Sequence, residues 1–437
     1  MEKTIRPLYI PGKTADYPFM DIPIPREELS NIGGNPTRFI ARQPIFDRRE
    51  RVYAYELLFR SGWENRFTSQ DGEAAARDVA DNFLSAGART LTQGRRAFIN
   101  CTRDFLVNEF ATVLPREQTV VEILESVEPD NDVIAACRRL KDLGYLIALD
   151  DFVYAERLQP LVDLANIIKI DFQVSGPADR RQAVAQFAPL GIKMLAEKVE
   201  TRDEFAEARA SGYSYFQGYF FCQPQIIPSR HIPAYKLNCL RILQAINTPE
   251  LDRRAVADLI EREVSLCYKL LRFVNSALFG FRRQIGSTQH AVELLGDRAF
   301  RKWASIATVL GMAGNEPNEL VRTALTRGRC CELLAASLGR RNDEQSLFLL
   351  GILSLMDAML GRPLSEIVAD LALPNPVRGA LLGKPNRFRE ILDLVAACES
   401  GKWSLVSDLA RRLHLDEALL SATFLQAVDW MQRVFQV

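Results

Sequence analysis

Between about residues 36 and 229, short apolar and β-branched runs alternate with stretches of helical periodicity: FIARQPIFD, RVYAYELLF, RAFIN, TVVEIL, YLIAL, ANIIKI, KMLAE and SYFQGYFF. Runs such as YLIAL and IIKI are apolar on both faces, as parallel strands covered by helices must be. RQPIFDRRERVYAYE instead reads as an antiparallel hairpin. The alternation predicts an α/β domain, a (β/α)8-type barrel with an irregular first strand. From about residue 236 the period becomes that of helices. Cys267, Leu270, Leu271 and Val274 fall at i, i+3, i+4, i+7, and Phe348, Ile352, Leu355 and Met359 continue the same kind of stripe. Gly280, Gly296, Gly351, Gly361 and the Pro374/Pro376 pair cut this half into helices of ordinary length. It is predicted to be an all-α domain over 236–437. Residues 1–35 hold Pro7, Pro11, Pro18, Pro23, Pro25 and Gly33-Gly34 and read as an irregular extension, docked by Tyr9 and Phe19.

Composition narrows the function classes. A chain of 437 residues that is 48% hydrophobic is globular, with room for about two or three domains. The 55 basic residues balance the 55 acidic ones, so no overall charge draws the chain to nucleic acid or an anionic membrane. Eight cysteines without a CxxC pair read as reduced core thiols. With no apolar leader-type segment and no membrane-length apolar run, a cytoplasmic protein is expected.

The chemistry lies at the strand ends. Glu56 in YELLFR, Asn100 in FINCT, Glu125 in EILES, Asp150 and Asp151 in IALDDF, Lys169 in IIKID, Glu197 in LAEKVE and Gln217 in YFQGY all follow apolar strands. A barrel brings the C-terminal ends of its strands to one rim, so these residues converge although they are far apart in sequence. Converging hard oxygens with an amide and a lysine suit Mg²⁺ or Mn²⁺, and adjacent aspartates can bridge two metals for attack on a phosphodiester.

These motifs identify the resemblance. ELLFR resembles the E-x-L-x-R motif of the EAL domain, the cyclic di-GMP phosphodiesterase family. QPIFD, FINC, EILES, LDDF, IKID, AEKVE and QGYFFCQP match its remaining motifs over about 36–229. The resemblance implies that Glu56, Asn100, Glu125 and Asp150 bind a first metal and Asp151 a second. It implies Lys169 as the water-positioning residue and Glu197 as acid/base. Gln43 and Arg60 would contact the nucleotide, with Glu128, Glu200 and Gln217 in support. The chain departs from the family after D-D-F, where Val153-Tyr154-Ala155-Glu156-Arg157 replace a glycine-rich turn and Glu128 takes the place of the glutamate that anchors it. The family's guanine-embracing motifs have no clean counterpart in GWENRFTSQDGEAAARDVA, where Trp63 reads as a packing residue. Lys198 stands where the family has glycine, and as a cation it is expected to lower the Glu197 carboxyl pKa.

LLRFVNSALFG and IGSTQHAVELLGDRAFRKW resemble the HDOD domain, a metal-free relative of HD phosphohydrolases. His231, His290 and His414 are each followed by a residue other than aspartate, so hydrolysis by this half is not expected. His290 reads as a cap or core contact. Arg282-Arg283, Arg340-Arg341 and Arg411-Arg412 read as solvated helix faces rather than a nucleic-acid surface. The tandem implies a bacterial signalling protein in which a divergent EAL barrel binds metal and cyclic di-GMP with little or no turnover. The HDOD half would then contact a protein partner, with a homodimer as one assembly. Two other readings stand beside it: an active metal-dependent phosphodiesterase, and a nucleotide-independent scaffold.

Overall fold

Eight strands close into a barrel in chain order in the computed structural model, which describes residues 38–61, 91–222, 234–248, 250–275, 285–312 and 319–436. The readings placed on the N-terminal extension, Trp63, His231 and Arg282-Arg283 lie outside these residues. The strands are β1 (Arg38–Asp47), β2 (Val52–Ser61), β3 (Arg96–Cys101), β4 (Thr119–Ile123), β5 (Leu146–Leu149), β6 (Ile167–Asp171), β7 (Lys193–Glu197) and β8 (Tyr215–Gln217). β1 is the irregular strand that the sequence implies: it runs antiparallel to both β2 and β8, while β2 to β8 are parallel. Asp47 and Arg51 tie the β1–β2 turn through paired side-chain and backbone hydrogen bonds.

Helices on the barrel are α1 (Arg103–Val107), α2 (Asn131–Asp142), α3 (Gln159–Val162), α4 (Pro177–Phe187) and α5 (Arg202–Ser211). α2 is capped by Asp130, and α5 by a Thr201/Glu204 capping box, each satisfying amides that the first turn leaves open. The chain then turns all-helical: α6 (Ala234–Ile246), α7 (Arg253–Glu261), α8 (Val264–Val274), α9 (Thr288–Met312), α10 (Glu319–Ser337), α11 (Glu344–Leu353), α12 (Met356–Leu360), α13 (Leu364–Asp370), α14 (Asn375–Leu381), α15 (Arg387–Glu399), α16 (Trp403–Leu413) and α17 (Glu417–Gln436). No helix among the described residues is long and apolar enough to cross a membrane. All eight cysteines are unpaired thiols, seven of them buried.

The stripe from Phe348 to Met359 is split between α11 and α12 rather than lying on one helix. Ser354 causes the break: its hydroxyl donates to the Gly351 carbonyl at 2.7 Å, competing with the helical ladder, and accepts from Arg327 at 2.8 Å. α10 and α11 cross with their backbones in contact. A methyl on Gly351 would lie 2.5 Å from the Gly328 Cα. Gly351→Ala is therefore expected to destabilise the helical half by about 1–3 kcal/mol through overpacking, measured as a lower midpoint of thermal unfolding.

The helical half also covers the outer face of β1 and β2. Arg42 and Tyr55 alternate with the inward Gln43 and Glu56, so they point away from the barrel axis. There the Tyr55 hydroxyl donates to Glu319 Oε2 of α10 at 2.9 Å, and Arg42 lies 4.6 Å over the Tyr55 ring and 3.8 Å from the same carboxylate. α17 packs on β1. Buried carboxylate, guanidinium and phenol satisfy one another, which is the condition for burying such groups at all.

Candidate active site at the mouth of the barrel

Strand periodicity builds the site. Ile45, Ala54, Phe98, Val120, Ala148, Ile167 and Leu195 form one apolar layer across the barrel interior, with Tyr215 packed against it. Two residues further toward the C-terminal end of each parallel strand, the side chain points inward again. Those positions are Glu56, Asn100, Glu122, Asp150, Lys169, Glu197 and Gln217, and the antiparallel β1 supplies Gln43 two residues before Ile45. A packed floor thus carries a polar layer at the mouth.

Lys169 occupies the centre. Its fully buried ammonium contacts Glu122, lies 2.8 Å from both Asp150 and Glu197, and is 3.5 Å from Glu56. Desolvation opposes its charge, but the surrounding carboxylates hold its pKa well above the ordinary value. Glu56 accepts from Gln217 Nε2 at 2.6 Å, the same amide donates to Gln43 at 2.8 Å, and Asn100 Nδ2 approaches Glu56 at 3.4 Å. Within this layer, four buried oxygens have no hydrogen-bond partner among the described residues: Asn100 Oδ1, Glu122 Oε2, Glu197 Oε2 and Gln217 Oε1. Acceptors without donors, in a nest whose carboxylates outnumber its one lysine, are the donor set a hard divalent cation requires. The residues fit Mg²⁺ or Mn²⁺.

Burial dominates the acids. It drives Glu122 well above the ordinary carboxyl range and pushes Glu197 up to about 8, with Lys169 opposing both shifts. Asp150 is raised by burial but held lower on balance by Lys169. Lys198 attracts Glu197 as its charge requires, but its ammonium pairs chiefly with Asp171 and Asp151, and desolvation leaves the Glu197 carboxyl raised on balance. A native pKa near 8 against an unfolded value of 4.5 means that the metal-free fold binds the extra proton between those values. Stability from this group is therefore complete below pH 4.5 and falls as pH rises to about 8. Glu197→Gln is expected to flatten that fall in urea titrations of metal-free protein.

Lys198 contacts Asp171 and lies 3.4 Å from Asp151. Both Lys198 (φ 53°) and Asp151 (φ 39°) adopt the left-handed backbone that a glycine would take more easily. Asp150, Asp151 and Glu197 bring ligand oxygens within 4.8 Å of one another, the one such acidic cluster among the described residues. The substituted segment after Asp151 leaves Val153 and Tyr154 exposed, and Arg157 reaches Glu128 at 3.4 Å, so Glu128 does meet that loop. Gln173 donates to Glu200 at 2.7 Å at the cavity edge.

One expected ligand is displaced. Glu125 is exposed past the end of β4, away from the polar layer, whereas Glu122, two residues after Val120, is completely buried in that layer against Lys169. Strand period, rather than motif alignment, would have selected Glu122. Asp171, two residues beyond Lys169 and bonded to the Gln173 amide at 2.6 Å, was missed for the same reason. Arg60 lies on β2, but its side chain is outside the described residues. In the helical half, His290 and His414 are exposed, and among the described residues no metal-ligating cluster forms there. His290 is thus no core contact; its amide donates to Ser287 at 3.3 Å. Arg340 pairs with Asp343, Arg411 with Asp408 and Arg412 with Glu390, as solvated helix faces do.

The cavity over this layer has a volume of about 920 Å³, within the range of ligand-binding clefts. Its opposite wall is helical: Thr323 and Thr326 of α10, Ala396 and Glu399 of α15, the 400–402 turn, Trp403 of α16 and Phe424 of α17. Tyr219, just past β8, donates to Glu399 at 2.8 Å, and Arg327 chelates the same carboxylate at 2.6 and 3.1 Å.

Residues 96–224 match the EAL domain family and residues 232–360 the HDOD domain family. The chain is 36% identical over 402 residues to YuxH of Bacillus subtilis (strain 168), covering 90% of this chain and 97% of that protein. It is 34% identical over 402 residues to the cyclic di-GMP phosphodiesterase CdgJ of Vibrio cholerae serotype O1, covering 91% and 93%. Among solved structures it is similar to a standalone EAL protein of Vibrio cholerae O395 in its cyclic di-GMP-bound form. That match has 24% identity and a TM-score of 0.37, over 44% of this chain and 93% of that one.

Proposed function

Because the chain belongs to the family of proteins that join an EAL barrel to an HDOD domain, we propose that it is a cytoplasmic cyclic di-GMP-linked signalling protein whose barrel holds a divalent metal and binds the cyclic dinucleotide with little or no turnover. Glu56, Asn100, Glu122, Asp150 and Glu197 would hold Mg²⁺ or Mn²⁺ at the polar layer. Bound there, the ion supplies Lewis-acid polarisation of a phosphoryl oxygen. Gln43 and Arg60 would contact the nucleotide.

Lys198 carries the low-turnover part of the reading. Its ammonium already pairs with Asp151 and Asp171 beside the inner carboxylates, where a second divalent ion would need those oxygens. A lysine neutralises the acids but offers no open coordination position and generates no metal-bound nucleophile. The helical domain, taken as 236–437 against a barrel domain of 36–229, would serve as the contact module for a protein partner or a second copy. A second reading, an active phosphodiesterase releasing the linear dinucleotide, is favoured by the retention of Lys169 and Glu197 at inward positions of the same layer.

Calorimetric titration of cyclic di-GMP into full-length protein with Ca²⁺ tests the ligand, and exchange of Ca²⁺ for Mg²⁺ or Mn²⁺ with product analysis tests turnover. Micromolar or tighter binding with negligible product is expected. Linearisation at about 1 per second or faster would establish the second reading instead. Absence of binding would leave the barrel as a scaffold.

A further inference from the structure

The cavity lies between two units, and only its floor belongs to the barrel. α15 to α17 lie beyond residue 360, outside both family matches, yet they form much of the facing wall. The turn from α15 to α16 rests on the site itself. Gly401 has φ 65°, and a methyl there would lie 3.0 Å from Leu58 and 3.4 Å from the Gln43 amide nitrogen. Gln43 bonds Gln217, which bonds Glu56, so the turn touches the hydrogen-bond chain that orients the carboxylates. The buried Tyr219–Glu399–Arg327 cluster fixes the end of α15 one residue before the turn.

The turn brings Lys402 and Trp403 to the cavity wall. A divalent ion on the floor would meet one phosphate of a cyclic dinucleotide, and the other phosphate calls for positive charge on the opposite wall. Lys402 is exposed, has no carboxylate partner among the described residues and lines the cavity. Trp403 is half-buried and lines it beside Lys402, and an indole is a strong stacking surface for a nucleobase. The helical half thus places an aromatic ring and a cation over the cavity whose floor carries the carboxylates.

We infer that the ligand site is composite, with Trp403 stacking on a base and Lys402 facing a phosphate of a cyclic dinucleotide seated on the barrel carboxylates. This rests on the ligand reading above, and its test separates the two. Cyclic di-GMP is titrated with Ca²⁺ into full-length wild type, Trp403→Ala, Trp403→Phe and Lys402→Ala, and the thermal shift with Ca²⁺ alone is recorded for each. Trp403→Ala is expected to weaken binding about tenfold or more, as loss of one stacked base does. Trp403→Phe should stay within a few-fold of wild type. Lys402→Ala should weaken binding and reduce its salt dependence, and the response to Ca²⁺ alone should persist throughout. Wild-type affinity in both alanine variants would overturn the composite site while leaving the ligand reading intact. No binding by wild type would remove both. Loss of the Ca²⁺ response in Trp403→Ala would make that residue structural and overturn its assignment, which Lys402→Ala checks through an exposed side chain.

Discussion

Glu122→Gln is expected to remove most of the stabilisation that divalent metal gives this protein, while Glu125→Gln leaves it intact. Glu122 is completely buried, contacts Lys169 with one oxygen and leaves the other without a partner. Glutamine keeps the shape of the side chain and an oxygen to accept from Lys169, so the metal-free fold should change little. The metal, however, requires the carboxylate. Changes one shell away from a metal cost about 10–100-fold in affinity, so loss of a direct ligand should cost at least about a hundredfold. At a metal concentration of 100 times the wild-type dissociation constant, wild type gains about 2.7 kcal/mol, and the variant should gain less than half of that. Thermal shift against Mn²⁺ concentration reads both variants. A shift lost in Glu125→Gln and kept in Glu122→Gln would reverse the assignment.

The second large effect lies between the domains. Glu399→Ala should destabilise the protein by about 3–5 kcal/mol, because it leaves the buried Arg327 guanidinium without its counter-ion. The carboxylate keeps the Arg327 pKa raised against desolvation, and it also accepts from Tyr219 of the barrel. Its loss therefore loosens the helical half from the barrel mouth as well as the α10–α15 contact. Urea unfolding followed by tryptophan fluorescence should show a lower midpoint and, as the domains uncouple, a broader transition. The double variant Arg327→Met/Glu399→Leu should recover much of the loss, since paired apolar replacement leaves no buried charge. A midpoint unchanged in Glu399→Ala would mean that the cluster contributes nothing to the interface.

The two halves were unequally legible in the sequence. The hairpin at RQPIFDRRERVYAYE, the apolar runs YLIAL and IIKI, and the strand-end residues Glu56, Asn100, Asp150, Lys169, Glu197 and Gln217 could be read directly. A strand alternates with a strict period of two, and a barrel sends all its parallel C-terminal ends to one rim. The same rule selects Glu122 and Asp171, but motif matching drew attention to Glu125 three residues later. The break at Ser354 was hidden because it depends on the Arg327 guanidinium 27 residues away.

The chain by itself therefore determined the barrel, the change to an all-helical second half and most of the inward polar layer, because these follow from local periodicity and from residues close together along each strand. Three features were decided only by the tertiary structure. One was the pairing of Lys198 with Asp151 and Asp171. Another was the rise of Glu197 to about 8 where a lysine neighbour suggested the opposite. The last was the arrival of Lys402 and Trp403 at a site more than 180 residues earlier in the chain. Each depends on desolvation or on contacts between distant segments, and neither is encoded in the spacing of neighbouring residues.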